Sequence, residues 1–349
     1  MTPAVSLKNI DIIFGKAPEK ALPLLDQGWS RDEINRKTGQ VVGVSGANLE
    51  VNDGEIVVLM GLSGSGKSTL LRAVNALAPV TRGTVTVQTP EGPVTPYNTS
   101  KRTLRKLRLH TISMVFQQFA LLPWRSVEEN IGFPLELAGF KAEQRHRRVQ
   151  EQLALVGLSQ WARHPVSALS GGMQQRVGLA RAFVTGAPVL LMDEPFSALD
   201  PLIRLHMQDE LLELQRTLKK TILFVSHDLD EAFRIGNRIA IMQAGRIVQL
   251  GTPAEILRKP ANAYVADFIG NINPGGILTA ADIMTPITSR EQLQTSVSGT
   301  VKPETVLNDI LRILSAKPGT IGVIERGRIV GIVNAQSAIS SLSHSQKKP

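Results

Sequence analysis

The chain of 349 residues contains no cysteine. This absence excludes a disulfide framework and a thiolate metal site, and it suits a reducing compartment such as the cytoplasm. No apolar run approaches the ~18 residues that a membrane-spanning helix needs. The first residues also lack the charged and long apolar segments of a secretion signal. We therefore expect a chain that is soluble by itself and that reaches a membrane only through a partner.

Acidic and aromatic residues are also scarce. Basic residues outnumber acidic ones by 39 to 30, which gives a formal net charge of +9, and aromatic residues make up 4%. A basic chain suggests nucleic acid or an anionic membrane surface as a partner, but the positive residues are scattered and their densest cluster, at 101–108, is short. The charge alone leaves both partners open. The length predicts a large α/β domain with an appendage.

One stretch has a specific chemical meaning. Residues 61–68 match G-x-x-x-x-G-K-[ST], the phosphate-binding P-loop, and they lie between an apolar strand, 56–60, and a helical pattern that starts at Thr69. Backbone N–H groups and the helix N-terminus would face phosphate, Lys67 would reach the β- and γ-phosphates, and Ser68 would hold Mg²⁺. A glycine turn that only caps a core helix is the alternative, which this context disfavours. The predicted nucleotide-binding residues are Gly61, Leu62, Ser63, Gly64, Ser65, Gly66, Lys67, Ser68 and Thr69.

Strands and helices alternate along most of the chain, and polar residues follow several strand ends. This alternation predicts a mainly parallel α/β core whose ligand lies at the carboxyl ends of the strands. The pattern from 121 to 165 is helical, with a helix around 142–156, and a further helix covers 174–183. The predicted strands lie at 5–14, 47–51, 84–87, 112–116, 189–192 and 221–225, followed by a hairpin of 239–242 and 247–250 around Gly245.

Two segments interrupt this alternation. Residues 16–44 predict an insertion of small helices, because Ser30 and Glu33 form a capping-box pattern and Gly39 follows as a stop signal. Breaker residues at 271–276 predict a linker, so we place one domain over 1–271 and a second over 272–349. The pattern of the second domain predicts a β-α-β-β-α unit. A unit of this size is too small to be very stable without a second unit packed against it. Its predicted elements are a strand at 299–301, a helix from Pro303 to about Ser315, strands at 321–325 and 329–333, and a helix at 336–342.

Polar residues at the strand ends are the candidates for chemistry. Asp193 and Glu194 follow an apolar strand in a Walker B pattern, in which Asp193 would hold Mg²⁺ through water and Glu194 would polarise the attacking water. Alternatively, the pair caps a helix that begins at Pro195. His227, after the next strand, could contact the γ-phosphate or be structural. Phe14, at the end of the first strand, could stack on adenine or lie in the core.

The order of these motifs resembles that of the ATP-binding subunits of ABC transporters. The resemblance covers residues 5 to about 270, and it implies an α/β ABC-type P-loop ATPase core with a helical subdomain inserted at about 119–185. It also implies ATP and Mg²⁺ as cofactors and ATP hydrolysis as the reaction. It rests on the P-loop, Gln117, Ser170-Gly171-Gly172, Asp193-Glu194, Asp200 and His227, in that order.

The resemblance implies a role for residues that have little meaning alone. In that family the Ser-Gly-Gly loop meets the γ-phosphate bound by a second subunit, so Ser170, Gly171 and Gly172 would complete the site of another copy of this chain. Asp200 would communicate across the same interface, and Phe14 takes the adenine-stacking position. At the next position, Met173 departs from the glutamine that is commonest in the family signature.

Gln117 matches the family glutamine that senses Mg²⁺ and water and links hydrolysis to the permease. The adjacent Gln118 is the alternative for this role. Asp193 and Ser68 complete the metal site that the resemblance implies.

A narrower resemblance concerns transport. The insertion and the segments 199–204 and 226–232 look like the glycine betaine/proline/choline importer subfamily. This implies a transmembrane permease and an extracytoplasmic substrate-binding protein as partners, at the cytoplasmic face of the bacterial inner membrane. Choline and glycine betaine lead as substrates, with proline betaine and proline as further candidates.

The segment 281–286 introduces a tail similar to a CBS module, although the chain is too short for the usual tandem pair. Two roles of this tail stay open. It could regulate the protein in response to ionic strength or a nucleotide, or it could stabilise the dimer. The alternative function is that of a nucleic-acid-associated ABC ATPase in repair or translation. Such proteins need a long coiled coil between Ser68 and Ser170 or a second set of motifs, so we expect no nucleic acid as a partner.

Overall fold

The structure, a computed structural model, describes residues 2–117, 120–197, 199–287 and 297–343. Its strands are β1 Val5–Phe14, β2 Val41–Val51, β3 Ile56–Met60, β4 Arg82–Thr89, β5 Gly92–Val94, β6 Ile112–Val115, β7 Val189–Asp193, β8 Thr221–Val225, β9 Arg238–Gln243, β10 Arg246–Gly251, β11 Thr285–Pro286, β12 Val297–Val301, β13 Thr320–Glu325 and β14 Arg328–Val333. Its helices are α1 Leu22–Asp26, α2 Arg31–Thr38, α3 Lys67–Ala73, α4 Lys101–His110, α5 Val127–Leu137, α6 Ala142–Leu155, α7 Gly171–Phe183, α8 Pro201–Leu218, α9 Leu229–Ile235, α10 Pro253–Arg258, α11 Ala263–Phe268, α12 Ala280–Ile283, α13 Leu307–Ala316 and α14 Ala335–Ser343.

The chain divides into two compact units. The first comprises Met1–Asp228 with Met242–Ile247, and the second comprises Leu229–Ile241 with Val248–Pro349. This division falls elsewhere than the boundary predicted after residue 271, which stays a prediction. The tip of the β9–β10 hairpin, around Gly245, therefore belongs to the first unit. No described helix is long and apolar enough to cross a membrane.

The centre of the first unit is a parallel sheet with the order β3-β8-β7-β6. Every residue of β3, β7 and β8 is buried, as expected for strands covered on both faces. The pairs Leu59–Val225 and Asp193–Val225 stand in register, so the carboxyl ends of three strands lie side by side. The predicted parallel core is confirmed.

A second, antiparallel sheet of the first unit has the order β2-β1-β4-β5. Between β1 and β2 lie a 3-10 turn at Pro18–Ala21 and the helices α1 and α2. The capping box of Ser30 and Glu33 is present, and Gly39 ends α2 with a left-handed φ of 70°. These predictions are confirmed, but the insertion ends earlier than residue 44 because β2 already begins at Val41.

The helical subdomain consists of α5, α6 and α7 around an apolar core. These helices confirm the helical pattern predicted over 121–165. The predicted start of the helical subdomain, at about Phe119, lies outside the described residues. The predicted helix start at Pro195 is wrong. That residue lies in a turn, and the next helix, α8, begins at Pro201 after the capping residue Asp200.

The second unit ends in a sheet with the order β11-β14-β13-β12, and α13 packs against α14. The predicted β-α-β-β-α order is confirmed. The helix α13 begins at Leu307 rather than at Pro303, because residues 302–305 form a turn that Thr305 closes with its N–H on the Lys302 carbonyl, at 3.1 Å. Proline favours the second position of such a turn as much as the start of a helix.

Candidate functional site

The P-loop leaves the buried end of β3 and leads into α3. Gly61, Gly64 and Gly66 have φ values of +142°, +74° and +100°, which residues with a Cβ rarely adopt. A Cβ on Gly66 would also lie 2.5 Å from the carbonyl oxygen of Gly43, and one on Gly61 would lie 2.2 Å from that of Met242. The loop therefore needs glycine at 61 and 66 both for its backbone conformation and for its close packing, whereas Gly64, whose added Cβ would meet nothing within 4 Å, is needed for its φ alone.

Lys67 lies inside the curl of the P-loop. Its Nζ donates to the carbonyl oxygens of Gly61 at 2.8 Å and Leu62 at 3.1 Å. Burial lowers the pKa of Lys67, and the Glu194 and Asp193 carboxylates oppose this effect. The ammonium group is thus a partly desolvated cation with loop carbonyls as its partners, and an incoming phosphate can compete for it.

Asp193, the last residue of β7, is fully buried. Ser68 Oγ donates to its Oδ1 at 2.6 Å, and Arg72 Nη2 donates to its Oδ2 at 2.8 Å. The two donors are one helical turn apart on α3, so both face the end of β7. The sequence does not predict a role for Arg72, because the P-loop pattern ends before this residue.

The residues Ser68 and Asp193 were both predicted as metal ligands, and the structure brings them together. A hydroxyl and a carboxylate are oxygen donors that suit a hard cation. The described residues contain no group of three or more His, Cys, Asp or Glu side chains that could hold a metal by itself. Few protein ligands supplemented by phosphate oxygens and water are typical of Mg²⁺, so the donor set fits that ion.

Glu194 has an unusual backbone. Its φ of +49° lies in the left-handed region, which is sparsely populated by residues other than glycine. The Glu194 N–H donates to the carbonyl oxygen of Val225 at 3.1 Å, and the Glu194 carbonyl oxygen accepts from Ser197 Oγ at 3.0 Å. Neighbouring groups thus hold the residue at the carboxyl edge of the sheet.

The Glu194 carboxylate is the meeting point of the predicted catalytic residues. Gln117 Nε2 donates to Glu194 Oε2 at 3.0 Å, and His227 Nδ1 lies 3.2 Å from the same oxygen. The three side chains come from the ends of β6, β7 and β8. The alternative for the glutamine, Gln118, lies outside the described residues.

Phe14 is 39% exposed. Its Cε2 lies 2.8 Å from the position of a Cβ on Gly43, and Thr69 Cγ2 lies 3.3 Å from that position. The interpretation of Phe14 as a core residue is therefore wrong. The ring lies over a glycine beside the first turn of α3, where a flat ligand could stack on it.

Ser170, Gly171 and Gly172 form the exposed beginning of α7. Ser170 caps this helix, since its Oγ accepts from the N–H of Met173 at 3.4 Å. Within the described part of the chain, no hydrogen bond joins these residues to the P-loop of the same chain. Asp200 similarly caps α8, with its Oδ1 accepting from the N–H of Ile203 at 3.1 Å. The structure thus leaves these four predicted site residues outside the cluster around Glu194.

Comparison with known proteins shows the family of the chain. A family model described as ABC transporter matches residues 44–197. The glycine betaine/proline betaine transport system ATP-binding protein ProV of Escherichia coli (strain K12) is 45% identical over 98% of this chain and 83% of that protein. The chain belongs to the ATP-binding subunits of ABC transporters.

Other relatives of this ABC ATPase are named for related substrates. The glycine betaine transport ATP-binding protein OpuAA of Bacillus subtilis (strain 168) is 50% identical over 80% of this chain and 66% of that protein. The trimethylamine N-oxide transport system ATP-binding protein TmoW of Pelagibacter ubique (strain HTCC1062) is 40% identical over 99% of both chains. None of these relatives is named as a protein of nucleic-acid repair or translation.

A solved structure supports the fold of the ABC ATPase. The dimeric structure of MJ0796, described as a bacterial ABC transporter cassette, has a TM-score of 0.61 and 30% sequence identity, and it covers 71% of this chain and 98% of that one. A second structure of the same cassette is described as a post-hydrolysis state bound to ADP and Pi. The ABC-type ATPase core that the sequence predicts is therefore confirmed, as is ATP hydrolysis as the activity of the chain.

Proposed function

We propose that this chain is the ATPase subunit of a bacterial importer that couples ATP binding and hydrolysis to the uptake of a quaternary amine. The relatives named for glycine betaine and proline betaine support the transport of such an amine. Glycine betaine and choline are the leading substrates that we propose, with proline betaine and proline as further candidates. The observation that carries the catalytic part is the convergence of Gln117 and His227 on Glu194 Oε2.

In the proposed site, backbone N–H groups of the P-loop and the Lys67 ammonium bind the phosphates of ATP, whereas the N–H of Ser65 donates to the Leu62 carbonyl oxygen within the loop. Ser68 and Asp193 would hold Mg²⁺, which supplies positive charge to the phosphate oxygens when it is bound. Arg72 keeps the buried Asp193 carboxylate paired from its other oxygen. Phe14, with its exposed ring beside Thr69, stacks on the adenine.

Glu194 is the proposed general base. Its Oε2 is occupied by Gln117 and His227, whereas its Oε1 makes no hydrogen bond among the described residues. That oxygen can accept the proton of a water molecule as the water attacks the γ-phosphorus. His227 and Gln117 orient the carboxylate, and the exposed His227 can also reach the γ-phosphate.

A second copy of the chain completes the proposed site. The N–H groups at the start of α7, a helix of 13 residues, are suited to a phosphate group, and Ser170 and Gly172 would present them across the interface. Asp200, at the start of α8, would lie at the same interface. The departure at Met173 is compatible with this role because its side chain packs against the core of the helical subdomain and its N–H is used in the cap.

The further partners that we propose are a transmembrane permease and an extracytoplasmic substrate-binding protein, at the cytoplasmic face of the bacterial inner membrane. The names of the relatives, which describe transport-system ATP-binding proteins, support this assembly. We also propose that the β-α-β-β-α tail is a single CBS-like module. Sensing of ionic strength or nucleotide and stabilisation of the dimer are both compatible with its fold.

The variant Glu194→Gln tests the catalytic part. Since a general base contributes roughly 10²- to 10⁴-fold, we expect hydrolysis of Mg-ATP to fall at least about 100-fold. ATP affinity should stay close to that of the parent chain, and a dimer should accumulate with ATP in size-exclusion chromatography. The same change at the exposed Glu213 is the control. Normal turnover by Glu194→Gln would refute the assigned role.

The substrate is tested in the complete transporter. Cells that lack this chain should lose uptake of radiolabelled glycine betaine or choline, and the parent chain should restore it. The Glu194→Gln chain should not restore uptake. If the parent chain restores the uptake of neither glycine betaine nor choline, the proposed substrate class is wrong even where the ATPase result holds.

A further inference from the structure

The inserted segment between β1 and β2 has no role in the function proposed so far. It is firmly attached to the first unit through an apolar cluster and an ion-pair cluster. Arg82 donates to both carboxylate oxygens of Asp26, at 2.9 Å and 2.7 Å, and to Asp11 at 2.6 Å. The apolar cluster consists of Ile13, Ala21, Leu25, Ile34 and Val42. The insertion can therefore act as a rigid support.

The inserted segment contacts the P-loop through Arg31. This residue is the first of α2, directly after the capping Ser30, so the capping box fixes the place from which its side chain extends. Arg31 Nη1 donates to the carbonyl oxygen of Gly64 at 3.0 Å. Arg31 is half-buried, and this burial lowers the pKa of its guanidinium, against the opposite effect of Asp32.

The peptide group that Arg31 contacts is held on both sides. The carbonyl of Gly64 accepts from Arg31, and the N–H of the same peptide group, on Ser65, donates to Leu62 at 3.1 Å. Because the peptide group is planar, fixing its carbonyl also fixes the direction of its N–H. Gly64 itself has a φ of +74°, in a region where glycine is conformationally free. The hydrogen bond from Arg31 thus constrains the glycine of the loop whose added Cβ would meet no neighbouring atom within 4 Å.

We propose that Arg31 is a positioning residue of the nucleotide site, through which the inserted helix holds the P-loop in its phosphate-binding conformation. The proposal rests on the function proposed above, in which this loop binds ATP. Arg31 acts through the backbone of Gly64 and has no contact of its own with the reacting atoms. The role connects an insertion that has no other assigned function to the affinity for ATP.

The variant Arg31→Gln removes this contact. A hydrogen bond from a charged donor is worth about tenfold in an equilibrium, and partial solvent access reduces the effect, so we expect Kd and KM for Mg-ATP to rise about fivefold. The turnover number at saturating ATP should change by less than about twofold, since the base Glu194 is untouched. Because Arg31 lines a cavity of 520 Å³ together with Trp29, Ser45 and Arg246, its replacement leaves no new enclosed void.

Two matched variants separate the loss of the hydrogen bond to Gly64 from the loss of a positive charge and from a loss of folding. Arg36→Gln removes the same charge from the same helix, but Arg36 donates within α2, to Asp32, and it should leave Kd unchanged. Arg31→Lys keeps the charge and one donor, and it should give an intermediate Kd. The melting temperature of each variant, measured without nucleotide, reports any loss of fold.

The outcomes are distinct. A Kd of Arg31→Gln equal to that of Arg36→Gln, or a full recovery by Arg31→Lys that disappears at high salt, overturns the positioning role. Lys67→Ala is measured in parallel. If Lys67→Ala binds ATP as the parent chain does, the proposed nucleotide site fails, whereas loss in Lys67→Ala without any effect of Arg31→Gln refutes only the present inference.

Discussion

The ion pair between Arg72 and Asp193 makes a quantitative prediction for the stability of the first unit. Asp193 is fully buried, and Arg72 Nη2 reaches its Oδ2 at 2.8 Å. The variant Arg72→Met keeps much of the length of the side chain and removes its charge. It leaves Asp193 with Ser68 as its remaining side-chain donor.

The size of the effect follows from the exposure of the two partners. Breaking a fully buried ion pair costs roughly 3–5 kcal/mol because one charge stays buried without its partner. The Arg72 side chain, however, is 42% exposed, so water can reach the position that it leaves. We therefore expect a loss close to that of one hydrogen bond to a charged group, about 2 kcal/mol. For a unit of this size, this corresponds to a decrease in Tm of roughly 4–8 °C.

A double-mutant cycle assigns this energy to the pair. Asp193→Asn removes the carboxylate charge and should itself destabilise the unit, since Arg72 then loses its counter-charge. In the double variant Arg72→Met with Asp193→Asn, no charge is left behind, so its loss should be smaller than the sum of the single losses by about 1–2 kcal/mol.

The assay is urea unfolding of the full chain without nucleotide, followed by tryptophan fluorescence. The three tryptophans, at positions 29, 124 and 161, all lie in the first unit, so the signal reports that unit. Arg105→Met, at an exposed position of α4, is the control for loss of a surface arginine. A loss below about 0.5 kcal/mol for Arg72→Met, or additive single losses, would contradict the reasoning.

Two further predictions concern the P-loop and α8. Gly66→Ala places a Cβ 2.5 Å from the Gly43 carbonyl oxygen at a φ of +100° and should weaken ATP binding at least about tenfold in a nucleotide titration. Gly139→Ala, in the loop after α5, at a φ of +77° with nothing within 4 Å of the added Cβ, should leave that affinity unchanged. Burial raises the pKa of Glu210, so its ionised form destabilises the folded state as pH rises through that pKa. Glu210→Gln should therefore gain stability against urea at about pH 8 and lose this gain near pH 4, and a larger gain at pH 4 would contradict the assignment.

The parts of the fold that could be predicted are those in which composition is distinctive. The strands β3, β7 and β8 are runs of apolar residues, and their buried positions follow directly from that pattern. The polar residues after them then had to meet, because parallel strands end at the same edge of a sheet. Helix α4 was missed because Lys101–His110 is so rich in basic residues that it appears as a charge cluster. Helix α8 is not predicted because its first residues belong to the motif at 199–204, which gives no helical signal of its own.

The candidate site could be predicted only where a residue belongs to a local pattern. Arg72 takes part in the site because α3 turns it toward β7, and the P-loop pattern ends before it. Arg31 lies 33 residues before Gly64, and no periodicity connects the two positions. The role of Ser170 was a different case. The resemblance implies for its motif a contact that the described residues of one chain do not make, and in the function proposed here a second copy supplies it.

Glu194 shows why the geometry of the site exceeds what local rules can give. A glutamate has no preference for a φ of +49°, so its sequence position predicts a continuation of the strand or an ordinary turn. The backbone nevertheless turns there, and the bonds to Val225 and Ser197 hold it in that conformation. The turn directs the carboxylate toward Gln117 and His227, which arrive from the neighbouring strands. Such strain persists only where surrounding contacts over-determine it, so it belongs to the same tertiary arrangement that assembles the site and is not visible in any stretch of sequence alone.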